Sequence, residues 1–171
     1  PYLSIQGETM GTTYNITYEN TINKNLKGEI DSFLVDFNKS LSTYDPTSTI
    51  SKFNSSTGTF CYSLTEDKYL LESLSKALQI SEETDGAFDP TVMPLVNYWG
   101  FGYKEKKMVE KPNIKTIDSL LNLVGYKKIG VLNINDSICI SRDVPNMSID
   151  LSASAPGHAV DLVAAILASY G

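Results

Sequence analysis

An α+β fold is what this sequence predicts, and three observations carry that reading. Apolar and polar residues alternate strictly in two stretches, each broken by a short turn. Elsewhere apolar residues recur at spacings of three and four, the period of a half-buried helix. No strand–helix–strand rhythm joins the two patterns, so a parallel sheet wrapped by helices is not expected.

The first alternating stretch, "LSIQGETMGTTYNITY", reads as a β-hairpin. Tyr14, Ile16 and Tyr18 alternate with Thr13, Asn15 and Thr17, and Gly7 and Gly11 flank the connection. From Lys24 to Asn38 the period changes to that of a helix, marked by Leu26, Ile30, Phe33 and Phe37. "STYDPTSTISKFN" follows as a polar, turn-rich segment that Asp45-Pro46 initiates. The clearest helix is "SLTEDKYLLESLSKALQISEET". Ser63 and Glu66 give its capping-box pattern, Leu70, Leu71, Leu74 and Leu78 its buried stripe, and Gly86 its terminating glycine.

"TDGAFDPTVMPLVNYWGFG" resists both periods, because Pro90 and Pro94 are excluded from a core strand and from a helix interior. It reads as a loop or a short irregular helix with a large apolar content, in which Trp99 and Phe101 are core residues. Asp118 to Val124 is a shorter helix closed by Gly125. "KIGVLNINDSICISR" is a second hairpin turning at Asn135-Asp136, and "NMSIDLS" is a strand ending on Asp150. The last helix, "GHAVDLVAAILASYG", presents Val160, Val163, Ile166 and Leu167 on one face.

Composition narrows the function. The 171 residues are 42% hydrophobic and carry a net charge of −6, which suits one globular domain and gives no field that draws nucleic acid. Arg142 is the only arginine, so bidentate phosphate or guanine recognition has almost no donors, and nucleic acid is not an expected partner. A single histidine, His158, excludes a multi-histidine metal site. Cys61 and Cys139 read as two buried or partly buried thiols; a disulfide between them is an alternative that spacing does not decide. No apolar run approaches membrane-spanning length, and a first residue other than methionine suggests processing or trimming.

Three turns are candidates for chemistry: Met10-Gly11, Gly86 to Pro90, and Asp150 to Gly157. The last is the most informative. A strand that passes through "LSASAPG" into a helix leaves backbone N–H groups free at the helix start, a site for an anion such as phosphate. Asp150 there would contact a ligand hydroxyl or ring nitrogen, or serve a metal's outer shell, rather than meet a bare phosphate. The plain alternative is that Ser152 or Ser154 caps the helix with Pro156 in its first turn. Asp85 and Asp89 could equally be turn formers.

The blocks "ETMGTTY", "LSTYDPTSTISKFN", "TDGAFDPTVMPLVNYWGFG", "VGYKKI" and "IDLSASAPGHAVD", in this order, resemble the ApbE family, the FAD:protein FMN transferases. They extend from Gly7 to Asp161. The resemblance implies an ApbE-like α+β fold in which residues 1–171 are the N-terminal part of a single flavin transferase domain. It implies an enzyme that takes FAD and, with Mg²⁺, moves FMN onto a threonine of an acceptor protein, releasing AMP. Typical acceptors are subunits of membrane electron-transfer complexes. The expected place is the bacterial cell envelope, at the periplasmic face of the inner membrane, with membrane contact only through a lipid anchor outside this chain. Some relatives hydrolyse FAD instead, and a non-catalytic flavin binder is a third reading.

By the same resemblance Met10, Tyr44, Ala87, Phe88, Asp89 and Asp150 contact FAD, and the aromatic run after Asp89 packs beneath the pocket. The backbone carbonyl of Ala153 falls where Mg²⁺ is ligated. Pro156 occupies a nucleotide-contacting position where the family carries Lys or Glu. His158 stands where tyrosine is common, and reads as a packing residue rather than a base. The family continues with a segment bearing the side-chain Mg²⁺ ligands and the catalytic base, so no catalytic residue is expected within Pro1 to Gly171.

Overall fold

The computed structural model describes residues 1–103 and 109–171. Strands β1 (Tyr2–Thr9) and β2 (Thr12–Glu19) form the first hairpin, in a register that sets Thr9 opposite Thr12. The connection is Met10-Gly11 alone, with φ of 52° and 71°, the left-handed pair that a two-residue hairpin turn requires. Glycine adopts that conformation freely and methionine does not, so the hairpin holds Met10 in place. Gly7 lies opposite Tyr14, and a Cβ there would come within 2.5 Å of the tyrosine ring.

Helix α1 (Lys27–Leu41) starts at Lys27 rather than Lys24 and buries Ile30, Leu34, Phe37 and Leu41 against the hairpin and the core. The "STYDPTSTISKFN" segment is a correction. It contains helix α2 (Thr49–Ser55), capped by Ser48, whose Oγ accepts from the Ser51 N–H at 3.1 Å, and it buries Ile50 and Phe53. Two buried side chains suffice for a helix of two turns, but they are too few to show a period.

Strand β3 (Phe60–Ser63) was not expected. It pairs with β5 (Ser137–Arg142), which also pairs with β4 (Ile129–Ile134), giving the antiparallel order β3-β5-β4. The inner face carries Tyr62, Ile129, Ile138 and Ile140; the outer face leaves Leu132 and Ile134 exposed. Cys61 and Cys139 are directly opposed on that outer face and form a disulfide, correcting the reading of two thiols. Only the fold brings them together, across 78 residues of sequence.

Helix α3 (Tyr69–Glu83) begins later than its sequence signal because Ser63 belongs to β3. Asp67 does the capping that Ser63 was expected to do: its Oδ1 accepts from Tyr69 N–H (2.8 Å), Leu70 N–H (3.2 Å) and Ser40 Oγ (2.9 Å). At the other end Asp85 N–H reaches Glu82 O and Gly86 N–H reaches Ser81 O, closing a Schellman motif. Asp85 (φ 49°) takes the first left-handed position, with Gly86 (φ 78°) directly after it.

The prolines then fall where helices accept them. Pro90 opens a 3-10 turn over Pro90–Val92, and Pro94 lies in the first turn of α4 (Met93–Tyr98). Trp99 is half-buried, but Phe101 is 72% exposed, against the expectation that both are core. Helix α5 (Ile114–Leu121) starts earlier than Asp118 because Asn113 caps it.

"NMSIDLS" is not a strand. Met147, Ile149 and Leu151 are fully buried, yet the segment joins no ladder. Helix α6 (Ala155–Ala168) follows, with Pro156 in its first turn and no side-chain cap from Ser152 or Ser154. Val160, expected on its buried face, is 68% exposed; Ala155, His158, Ala159 and Val163 face the core.

Candidate flavin-nucleotide site

Three separate parts of the chain meet at the start of α6. The Met10-Gly11 turn, residues 42–44 after α1, and Ser152, Ala155 and Pro156 line a cleft of about 580 Å³, with Phe37 and Leu41 among its apolar lining. Tyr44 is 68% exposed at this cleft, an aromatic ring without a full set of protein neighbours. Met10 reaches it because its left-handed turn projects from the hairpin beside α1.

The other side of the same loop borders a second cleft of about 410 Å³, lined by Lys76, Ile80, Phe88, Ala153, Gly157, His158 and Asp161 among others. Residues 152–157 are therefore a ridge between two clefts. Of the residues singled out by sequence, Met10, Tyr44 and Pro156 share the first, while Phe88 and Ala153 share the second. Ala87, Asp89 and Asp150 line neither. A single hydrogen bond, from Asp150 N–H to Pro90 O at 2.7 Å, ties the Ala87–Pro90 segment to the segment leading into α6.

The ridge offers fewer free N–H groups than its sequence suggests. Ser152 N–H donates to Asp150 Oδ1 (2.9 Å), Ser154 and Ala155 N–H to Leu151 O, and His158 N–H to Ser154 O. Pro156 has none. Among the described residues only Ala153 and Gly157 keep an N–H without a protein acceptor there, and no protein donor engages the Ala153 carbonyl.

The two candidate carboxylates differ in engagement. Asp89 Oδ1 accepts from Thr91 N–H (2.8 Å) and Thr91 Oγ1 (2.6 Å), and Oδ2 accepts from Tyr126 N–H (2.9 Å). Asp150 accepts one protein hydrogen bond, at Oδ1, and its Oδ2 has no protein donor among the described residues. Asp85 occupies the C-terminal turn of α3, the structural role open to it from sequence.

His158 packs as expected. Its ring stands edge-on to Phe37 and its Nδ1 pairs with Ser73 Oγ at 2.9 Å. Burial pushes its pKa below the ordinary histidine value, with Lys76 adding to the shift and Glu72 and Asp161 opposing it. Among the described residues no three Asp, Glu, His or Cys side chains converge as a metal site; the Ala153 carbonyl, without a protein donor, is an oxygen of the kind the expected Mg²⁺ takes. Sequence reasoning missed Asn38 as a cleft-lining residue; Ser152 lies in the candidate turn Asp150 to Gly157, and Thr43 lies beside Tyr44 in the "LSTY" block.

Known proteins are similar to this chain in sequence and fold. The model of the ApbE family matches residues 10–171. Proteins named FAD:protein FMN transferase are 35% identical in Vibrio cholerae, over 98% of this chain and 49% of the relative, and 33% identical in Haemophilus influenzae, over 95% and 48%. The solved flavin transferase ApbE of Vibrio cholerae superposes with a TM-score of 0.88 at 34% identity, covering all of this chain and 54% of the other. The apo flavinyl transferase ApbE of Pseudomonas stutzeri gives 0.84 at 30% identity, covering 100% and 53%. The chain thus spans about half the length of the curated relatives it matches. With the family model matched across nearly the whole chain and the fold shared with solved members, this chain belongs to the ApbE family.

Proposed function

We propose that this chain carries the FAD-binding part of an FAD:protein FMN transferase. The observation that carries the reading is the convergence of Met10, Tyr44 and Pro156 on one cleft at the start of α6, in a chain whose relatives bear that enzyme's name. Met10 and the exposed ring of Tyr44, with Leu41 beneath them, offer a flat ring system an apolar bed, with stacking worth about 1 kcal/mol beyond burial. The open Oδ2 of Asp150 can accept from a ligand hydroxyl or ring N–H. Ala87 to Asp89 would meet the ligand through backbone and the Phe88 ring, since the Asp89 side chain is already engaged.

In the reaction, a bond forms between the acceptor threonine oxygen and the FMN phosphorus as the bond from that phosphorus to the bridging oxygen breaks. AMP leaves with the electron pair, and the hydroxyl proton passes to a base assigned to no described residue. The Ala153 carbonyl would hold Mg²⁺, which when bound supplies charge neutralisation on the pyrophosphate and the departing AMP. The ridge itself holds and orients: Gly157 N–H donates to an anionic oxygen, and Met10 and Tyr44 exclude water from the ring.

The acceptor in this reading is a subunit of a membrane electron-transfer complex, met at the periplasmic face of the inner membrane by a lipid-anchored protein. The Cys61–Cys139 disulfide supports that compartment, because disulfides persist outside the reducing cytosol. No helix among the described residues is long and apolar enough to cross a membrane. The test is to incubate the protein with FAD, Mg²⁺ and a threonine-bearing acceptor and read masses. FAD binding supports the reading and gain of FMN mass on the acceptor adds the transfer; free FMN with AMP would make it a pyrophosphatase, bound but intact FAD a flavin binder without the transfer step, and no FAD binding would overturn the site.

A further inference from the structure

The buried segment before Asp150 poses a physical problem that helix α2 solves. Met147, Ile149 and Leu151 are fully buried, and buried backbone groups must be paired. No strand lies alongside. Instead the Asn54 side chain supplies both partners for one residue: its Oδ1 accepts from Ile149 N–H at 2.8 Å and its Nδ2 donates to Ile149 O at 2.9 Å. That is the two-bond exchange a residue of a neighbouring antiparallel strand would make. The Arg142 guanidinium binds the same two segments, donating to Met147 O and Phe53 O at 2.7 Å each and to Ser56 O at 3.2 Å.

The opposite end of α2 holds the other wall. Ser48 Oγ and Ser51 Oγ both donate to Ser42 O, at 2.6 and 3.2 Å, two residues before Tyr44. One short helix therefore fixes the wall that carries Tyr44 and the segment that presents Asp150. Asn54 lines neither cleft, so it touches no ligand there.

We infer that Asn54 is a positioning residue for flavin-nucleotide recognition, acting through Asp150 by holding Ile149 in register against α2. The inference rests on the FAD-site reading for its consequence, though not for its geometry. Without the amide, the Ile149 backbone loses both partners. Asp150, left with its own N–H bond to Pro90 O and with Arg142 holding the segment only at Met147 O, shifts relative to Tyr44.

The test is a double-mutant cycle read by FAD titration, with unfolding midpoints measured in parallel. Asn54→Ala should weaken FAD binding about tenfold when Asp150 is present, the scale of one lost hydrogen bond to a charged group. In an Asp150→Asn background the same change should cost under about twofold, because residues acting through one another are not additive. Ile5→Val, a stability control in the hairpin, should leave affinity unchanged. Equal losses in both backgrounds, or a matching loss in the control, would overturn the inference.

Should Asn54→Ala fail to fold, Asn54→Asp replaces it. A protonated carboxyl can donate and accept as the amide does, so affinity relative to wild type should recover as pH falls; no recovery would contradict the role. If the wild-type protein binds no FAD, the functional reading falls. The positioning role is then judged by amide exchange: selective loss of protection at Ile149 and Asp150 in the Asn54 variant supports it, and unchanged protection overturns it.

Discussion

Asp89 and Asp150 sit on two segments joined by one hydrogen bond, and they use their carboxylates in opposite ways. Both oxygens of Asp89 are taken by Thr91 and Tyr126, and Thr91 Oγ1 in turn accepts from Gly125 N–H at 2.7 Å. Asp89 therefore ties the loop after α3 to the turn before β4. Asp150 spends one oxygen on the Ser152 N–H, and the other has no donor among the described residues. An ionised carboxylate can accept about four hydrogen bonds, so Asp150 retains most of its capacity and Asp89 little. Two acids that look alike in sequence divide into one whose carboxylate is engaged in the fold and one that keeps an oxygen without a protein donor among the described residues.

The largest expected effect is on Asp89. Asp89→Ala strands the Thr91 and Tyr126 N–H groups and should lower unfolding stability by about 2–4 kcal/mol. Asp150→Asn should leave stability within about 1 kcal/mol while lowering FAD affinity about tenfold. Chemical denaturation beside flavin titration reads both. Equal stability losses would erase the distinction between the two acids.

Next in size is Tyr44, which belongs with Asp150 on the open side of the comparison. Tyr44→Ala should weaken FAD about fivefold, and Tyr44→Phe by under about twofold if the ring face does the work. Neither should move the unfolding midpoint, since the side chain is 68% exposed. A large loss with phenylalanine would assign the contact to the hydroxyl.

The smallest effect belongs to His158, on the structural side with Asp89. Its folded pKa lies below the unfolded value of about 6.5, so the unfolded chain binds more protons between the two. The stability this contributes is present above the unfolded pKa and is lost as pH falls through the folded one. His158→Gln should flatten that part of the stability–pH curve. An unchanged acid slope would remove His158 as its cause.

How much of this was legible in sequence depends on where the information resides. Both hairpins followed from alternation, and the core stripe of α3 from Leu70, Leu74 and their spacing. Pro90 and Pro94 excluded a core strand and a helix interior, and the structure places each in the first turn of a short helix. Helix α2 was hidden because only Ile50 and Phe53 anchor it in a polar segment. The "NMSIDLS" segment mimicked a strand because burial on its inner face gives the same alternation, whether a strand or an asparagine pairs its backbone. Cys61 and Cys139 meet only through the register of β3 on β5. The resemblance to ApbE gathered the site residues by name, but which of them share a cleft, and which acid is spent on the fold, are properties of packing.

The central claim is that the cleft between the hairpin turn and the start of α6 receives FAD. Titrating FAD into isotope-labelled protein and following the backbone amide resonances tests it most directly. The account predicts that Met10, Gly11, Tyr44, Ala153 and Gly157 shift with saturation, while Leu64 to Tyr69, which line a separate cleft on the far side of α1, stay still. Shifts confined to that second region, or none at saturating FAD, would contradict it.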